Sequence, residues 1–195
     1  MSIDFSSKPS LGNAVVLLRP FIEADLESLG QILSDPEVLK LTGSVNSTMA
    51  ANSAHPVLDH ATRNWYLTRN EQADRLDLAV IDPVSGLCVG EIVLNDLDEA
   101  NRVAGFRILI GAQGRNRGLG TAAISLILDY AFTTTELHRI ELEVFAFNPR
   151  AVHVYERAGF TFEGTRRDAL IFDGRFVDAH FMSILAPDVR PTVGS

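Results

Sequence analysis

Apolar positions along the chain change their period several times, and each change marks an element. VVLLRPF (15–21) reads as a short strand, and Leu26, Leu29, Ile32 and Leu33 then recur at helical spacing over 25–33. Residues 43–53 are small and polar and read as a loop, followed by a helix over 54–73 with Pro56 near its first turn and Val57, Ala61, Trp65 and Tyr66 roughly on one side. LDLAVID (76–82) and LCVGEIVLND (87–96) form a hairpin around Pro83-Val84-Ser85-Gly86, and RVAGFRILIG (102–111) is a third strand. A helix over 118–132 carries a continuous stripe of Ala122, Ala123, Leu126, Ile127, Tyr130 and Ala131. HRIELEVFAF (138–147) is a strand, 149–158 a helix, and 160–167 and 175–185 are strands joined through Asp173-Gly174. Strand, helix and strand between 102 and 147 demand a parallel pair with a right-handed crossover, whereas the hairpins demand antiparallel neighbours. The expectation is an α/β (mixed α+β) fold: a twisted mixed sheet of about seven strands with helices on both faces. One domain covers 14–186. The ends, 1–13 and 187–195, are rich in Ser, Pro and Gly and are expected to be flexible tails.

Composition narrows the function. At 195 residues and 46% hydrophobic, the chain can bury a core without metal or disulfide staples, and it is too apolar for disorder. Seventeen Lys+Arg against 25 Asp+Glu give a net charge of −8, which disfavours nucleic acid as a partner. The acidic balance suits a cationic partner or simple solubility; charge alone leaves both open. No apolar run reaches the roughly 18 residues of a membrane span. A single cysteine, Cys88, and a start without basic and apolar leader regions point to a cytoplasmic protein, and monomer and homodimer both stay open.

The stretch that carries chemistry is GAQGRNRGLGTA (111–122), set between a strand and a helix. Four glycines (111, 114, 118 and 120) free the backbone to turn sharply or approach a ligand. The helix that follows presents unsatisfied N–H groups and a positive dipole end, a ready anion site beside Arg115 and Arg117. An ordinary glycine-rich connection is the bland alternative. A Walker A loop is excluded because no Lys follows Gly118, and the dinucleotide fingerprint G-x-G-x-x-G is absent. What stands there is Arg115-Asn116-Arg117-Gly118-Leu119-Gly120, which resembles the acyl-CoA pyrophosphate loop, Q/R-x-x-G-x-G/A, of the GNAT superfamily of N-acetyltransferases. Asn148-Pro149-Arg150 through Tyr155-Glu156-Arg157-Ala158-Gly159-Phe160 resembles the family's next motif. Residues 18–33 and 163–185 are similar to the opening and closing elements of the branch containing ribosomal-protein alanine and spermidine acetyltransferases.

The resemblance implies a single GNAT-like domain whose strand over 106–112 splays from the strand after the long helix, opening a V-shaped cleft. It implies acetyl-CoA as cosubstrate, held by Arg115, Asn116, Arg117, Gly118, Leu119, Gly120 and Thr121 at the pyrophosphate. Ile108, Leu109 and Ile110 would line the pantetheine with their backbone, and Asn148 would hydrogen-bond it. Asn148 and Pro149 are equally explained as a helix cap and first helical residue. By the same resemblance Tyr155 protonates the departing thiolate, although it could be a packing residue. The base that takes the amine proton is open among Glu91, Glu143 and Asp96, with surface exposure the plainer explanation for each. Cys88, inside a strand, reads as a buried small hydrophobe, and the five scattered histidines suggest no metal site. The expected function is acetyl transfer from acetyl-CoA to a primary amine (a protein N-terminus, a polyamine or another small amine) by direct attack in a ternary complex. A non-catalytic acyl-CoA-binding regulator on the same fold is the alternative.

Overall fold

The computed structural model describes residues 3–189. The chain runs β1 (Leu11–Gly12), β2 (Leu17–Arg19), α1 (Leu26–Leu33), α2 (Pro36–Leu41), α3 (Thr48–Asn52) and α4 (His60–Thr68). It continues as β3 (Leu76–Ile81), β4 (Cys88–Asp98), β5 (Val103–Ile110), α5 (Leu119–Thr134), β6 (Arg139–Phe145), α6 (Pro149–Arg157), β7 (Thr161–Phe172), β8 (Arg175–Leu185) and α7 (Ala186–Val189). Eight strands form one sheet in the order β1-β2-β3-β4-β5-β6-β8-β7, all antiparallel except β5 and β6. No helix among the described residues is long and apolar enough to cross a membrane.

Register assigns the two faces. Leu76, Leu94 and Phe106 are cross-strand partners and share a face with Leu78, Ile92 and Ile108. That face packs on α5 through Ala123, Ile124, Ile127 and Ala131, all within 1% of full burial. Each fully buried aliphatic side chain there contributes about 1.5–3 kcal/mol of transfer free energy. Ala79, Glu91 and Leu109 share the opposite face, where Leu26, Leu29 and Ile32 of α1, Val38 of α2 and Tyr66 of α4 form a second, smaller cluster.

Several expectations change. The segment 1–13 is not a loose tail over its described part: Phe5 is fully buried, its amide donates to the Ala73 carbonyl at 2.9 Å, and Leu11–Gly12 adds an eighth strand. Apolar Ile3 and Phe5 gain a core site that composition does not reveal. Residues 43–53 are not all loop, since Ser47 accepts a bond from the Ala50 amide and caps α3. A helix absent from the periodicity, α2, starts at Asp35-Pro36, where Asp35 caps the Glu37 amide and Pro36 fills the first helical position. The helix expected over 54–73 starts only at His60, because Asp59 caps the Thr62 amide. Pro56 lies before it, so close to Gly30 that a Cβ there would sit 2.0 Å from the Pro56 carbonyl oxygen. Of the expected tail over 187–195, residues 190–195 lie outside the described residues.

Candidate active site

The parallel pair is brief. β5 and β6 hold register only at Val103↔Arg139, Ala104↔Ile140 and Gly105↔Glu141. Beyond Gly105, β5 stays with β4 as far as Ile110, while β6 stays with β8 as far as Phe145. The two strands therefore part, and a cleft of about 510 Å³ opens between them. Phe106, Ile108 and Ile110 of β5 and Val144 and Phe145 of β6 line it, together with Tyr155 of α6 and Asn148, the residue that caps that helix. Leu109 also reaches the cleft although its side chain belongs mainly to the second cluster.

At one end stands the N-terminus of α5. Gly118 caps it at φ +79, a left-handed conformation that suits glycine, and no side chain caps the helix. The first intrahelical bond runs from the Ala122 amide to the Gly118 carbonyl, so the amides of Leu119, Gly120 and Thr121 have no helical partner. Gly114, Asn116, Gly118, Gly120 and Thr121 line the cleft here. Gly114 is a close approach: a Cβ would meet Ile110 Cγ2 at 2.7 Å. Leu119 is absent from the cleft lining, and its side chain is buried in the core.

The loop arginines are not the free charges the motif suggests. Arg115 donates from Nε to the Ile110 carbonyl at 3.0 Å, from Nη2 to Asp35 Oδ2 at 2.8 Å and from Nη1 to Glu37. It thus bolts the glycine loop to the start of α2. Arg117 turns away from the cleft to Asp82 at 2.9 Å, and this partner holds the Asp82 carboxyl at about 2.

Tyr155 is 8% exposed, with its ring edge-on to Phe106 and beside Phe160. Burial pushes its phenol above the ordinary range, so it keeps its proton at neutral pH. Asn148 does cap α6, accepting from the Ala151 amide at 3.1 Å through Oδ1. Its side-chain NH₂ group is separate from that bond, so the two readings of this residue do not compete.

The three base candidates separate cleanly. Asp96 is exposed at φ +49 beyond the cleft and bonds to Asn95 at 2.8 Å. Glu143 lines the cleft but faces Arg166 at 3.2 Å. Glu91 is 1% exposed, opposite Leu109 in register, and its Oε1 accepts from Arg107 at 2.8 Å. Its Oε2 has no partner, and burial raises the carboxyl above its ordinary range, with the Tyr66 hydroxyl close by. Cys88 is buried, donates to the Gly90 carbonyl at 3.3 Å and is pushed up to about 12, so it stays a thiol. Sequence reasoning missed Arg107, the α2 wall (Glu37, Val38, Leu41) and the pair Phe145 and Phe147, all lining the cleft. Arg107 had a signal, being the one charge within the apolar run FRILI.

Residues 16–161 match the family described as Acetyltransferase (GNAT) domain. A spermidine N(1)-acetyltransferase of Vibrio cholerae is 35% identical over 106 residues, 54% of this chain and 61% of that protein. The match thus spans about three fifths of that relative's length. The L-amino acid N-acetyltransferase AaaT of Escherichia coli is 29% identical over 171 residues, 86% of this chain and 96% of that protein. Among solved structures, spermidine N-acetyltransferase from Vibrio cholerae in complex with CoA and spermine superimposes with a TM-score of 0.76 at 25% identity, covering 90% of this chain and 98% of that one.

Proposed function

The chain belongs to the GNAT acetyltransferase family, and on that premise we propose that it transfers an acetyl group from acetyl-CoA to a primary amine within the β5/β6 cleft. The observation that carries this reading is the splay itself, with an uncapped helix N-terminus at one end and a buried phenol in the wall. Relatives named for acetylating spermidine and L-amino acids support an amine as acceptor. A buried, unpaired Cys88 suits work in the cytoplasm.

Acetyl-CoA supplies a thioester carbonyl, the electrophile. The residues fit it: the amides of Leu119, Gly120 and Thr121 take the pyrophosphate, aided by the helix dipole. The free edge of β5 over Ile108, Leu109 and Ile110 hydrogen-bonds the extended pantetheine, and the Asn148 NH₂ donates to it. Gly118 and Asn116 shape the turn that presents these donors, while Arg115 and Arg117 hold it in place through their carboxylates. Glu91 accepts the ammonium proton, relayed across the cleft wall, which leaves a neutral amine to attack the carbonyl carbon. As the new C–N bond forms, the C–S bond breaks, Tyr155 gives its proton to the sulfur, and the second proton shed by the nitrogen returns through solvent to the Tyr155 phenolate. No acyl-enzyme is required, in keeping with the inert Cys88 thiol.

Tyr155→Phe keeps the ring against Phe106 and deletes only the acid. With an amine panel and free-thiol detection, kcat should fall by about 10²–10⁴ while CoA affinity stays within a few-fold. Unchanged kcat with chemistry rate-limiting removes Tyr155 from the mechanism. Tight CoA binding by a wild type that never releases thiol with any acceptor would instead make the protein an acyl-CoA-binding regulator.

A further inference from the structure

Three arginines line the cleft, and they differ in how their charge is engaged. Arg115 is committed to the Ile110 carbonyl, Asp35 and Glu37, and Arg107 is bonded through Nη2 to Glu91. Arg117, the other cation of the glycine loop, is tied to Asp82 and is absent from the lining. Arg150 makes no side-chain hydrogen bond or ion pair among the described residues. It is exposed, in the first turn of α6, two residues past Asn148. Topology sets this free guanidinium at the mouth of the cleft. β5 and β6 are parallel, so the helices that follow them start at the same edge of the sheet. Both helices pack on the same face, since Ala123 and Ile124 of α5 share one cluster with Tyr155 of α6. Their first turns therefore flank the mouth and reach the lining, one through Gly120 and Thr121, the other through Pro149 and Arg150. Arg107 lies at the inner end, two residues past Gly105, the last position at which β5 pairs with β6.

With pyrophosphate on the α5 amides and pantetheine running inward along β5, the adenosine end of CoA is left at the mouth. Its 3′-phosphate is a monoester carrying about −1.5 to −2 charges at neutral pH. A chain of net charge −8 repels such a group unless a local cation meets it. We infer that Arg150 binds the CoA 3′-phosphate, so that the cleft selects CoA over its 3′-dephospho form. This assignment rests on the acetyl-CoA reading above. A planar guanidinium offers two parallel N–H donors to two phosphate oxygens. Arg115 and Arg117 have theirs committed to carboxylates, whereas those of Arg150 are free.

The test is titration calorimetry with CoA and 3′-dephospho-CoA, which differ only by this phosphate. Wild type at low salt should bind CoA roughly 10-fold more tightly, and added salt should narrow the gap. Arg150→Gln should weaken CoA alone and bring the two ligands to within about 2-fold, and Arg150→Lys should keep part of the difference. Arg115→Gln, which loosens the glycine loop, should weaken both ligands alike and leave their ratio intact. Each ratio is taken within one protein, so any effect of a substitution on folding cancels. Equal affinity of wild type for the two ligands overturns the inference, as does an unchanged ratio in Arg150→Gln. An Arg150→Gln protein that loses affinity for both ligands equally also overturns it, because the guanidinium would then hold the pyrophosphate. These results leave acetyl transfer standing. If wild type binds neither ligand, the acetyl-CoA reading of the cleft falls, and this inference with it.

Discussion

Glu91 shows how one side chain can set function against stability. Burial raises its folded pKa above the ordinary 4.5, so the folded protein holds this proton more tightly than the unfolded chain. Stability from this group is therefore intact below about 4.5 and is lost as pH rises through the raised folded value. Once the pH passes that raised value the buried carboxylate is a net burden, and there Glu91→Gln should melt at or above the wild-type temperature. At pH 4 both proteins carry a neutral group, and the difference should vanish. The same variant should lose about 10²–10⁴ in kcat if Glu91 is the base, whereas Glu143→Gln should lose little. A Glu91→Gln protein that melts lower than wild type across the alkaline range would show that the Arg107 pair outweighs the burial. The sequence offered Glu91 as one of three candidate bases, with Glu143 and Asp96, but its burial and its partners were not legible there. Its environment is assembled from Arg107, 16 residues away, and from Tyr66 on another element.

Among elements, α2 and the glycine loop behave as one piece because Arg115 spans them. The motif identified the loop and the helix behind it, and the helix over 118–132 matches α5 closely, since period and glycine spacing are local signals. The destination of Arg115 is not local: Asp35 lies 80 residues earlier. Asp35 serves twice, Oδ1 capping α2 and Oδ2 taking the guanidinium. Asp35→Asn keeps an oxygen for the cap but weakens the ion pair. It should mimic Arg115→Gln, with weakened CoA affinity as the loop loosens, and the double mutant should show about 0.5–3 kcal/mol of coupling. If Arg115 instead held pyrophosphate, Asp35→Asn would free it and tighten CoA binding, the opposite sign. Calorimetry with CoA and steady-state kinetics on the four proteins separates the two. The Asp35-Pro36 pair was itself a readable helix start, hidden because α2 is too short to display a period.

At the scale of the whole molecule, the alternation of strands and helices was enough to require one parallel pair within an antiparallel sheet. Its early separation was not readable, because FRILIGA and IELEVFA alternate as any paired strands would. Only the resemblance to a family implied it. The core is divided by the sheet, a large cluster against α5 and a smaller one against α1 and α4, and the cleft runs through the gap between β5 and β6. That gap leaves an edge in the middle of a sheet rather than at its rim. Strands β3 and β4 are bonded on both sides, whereas β5 beyond Gly105 is bonded only to β4. In deuterated water, alternate amides from Phe106 to Ile110 should therefore exchange far faster than those of β3, as should Leu119 to Thr121. Saturating CoA should slow both groups and leave β3 unchanged. Protection confined to Leu119–Thr121 would mean that only the phosphates are gripped. Slowing along β5 as well would mean that an eight-stranded sheet acquires its missing neighbour from a small molecule, and that the protein's most rigid layer is completed only while it works.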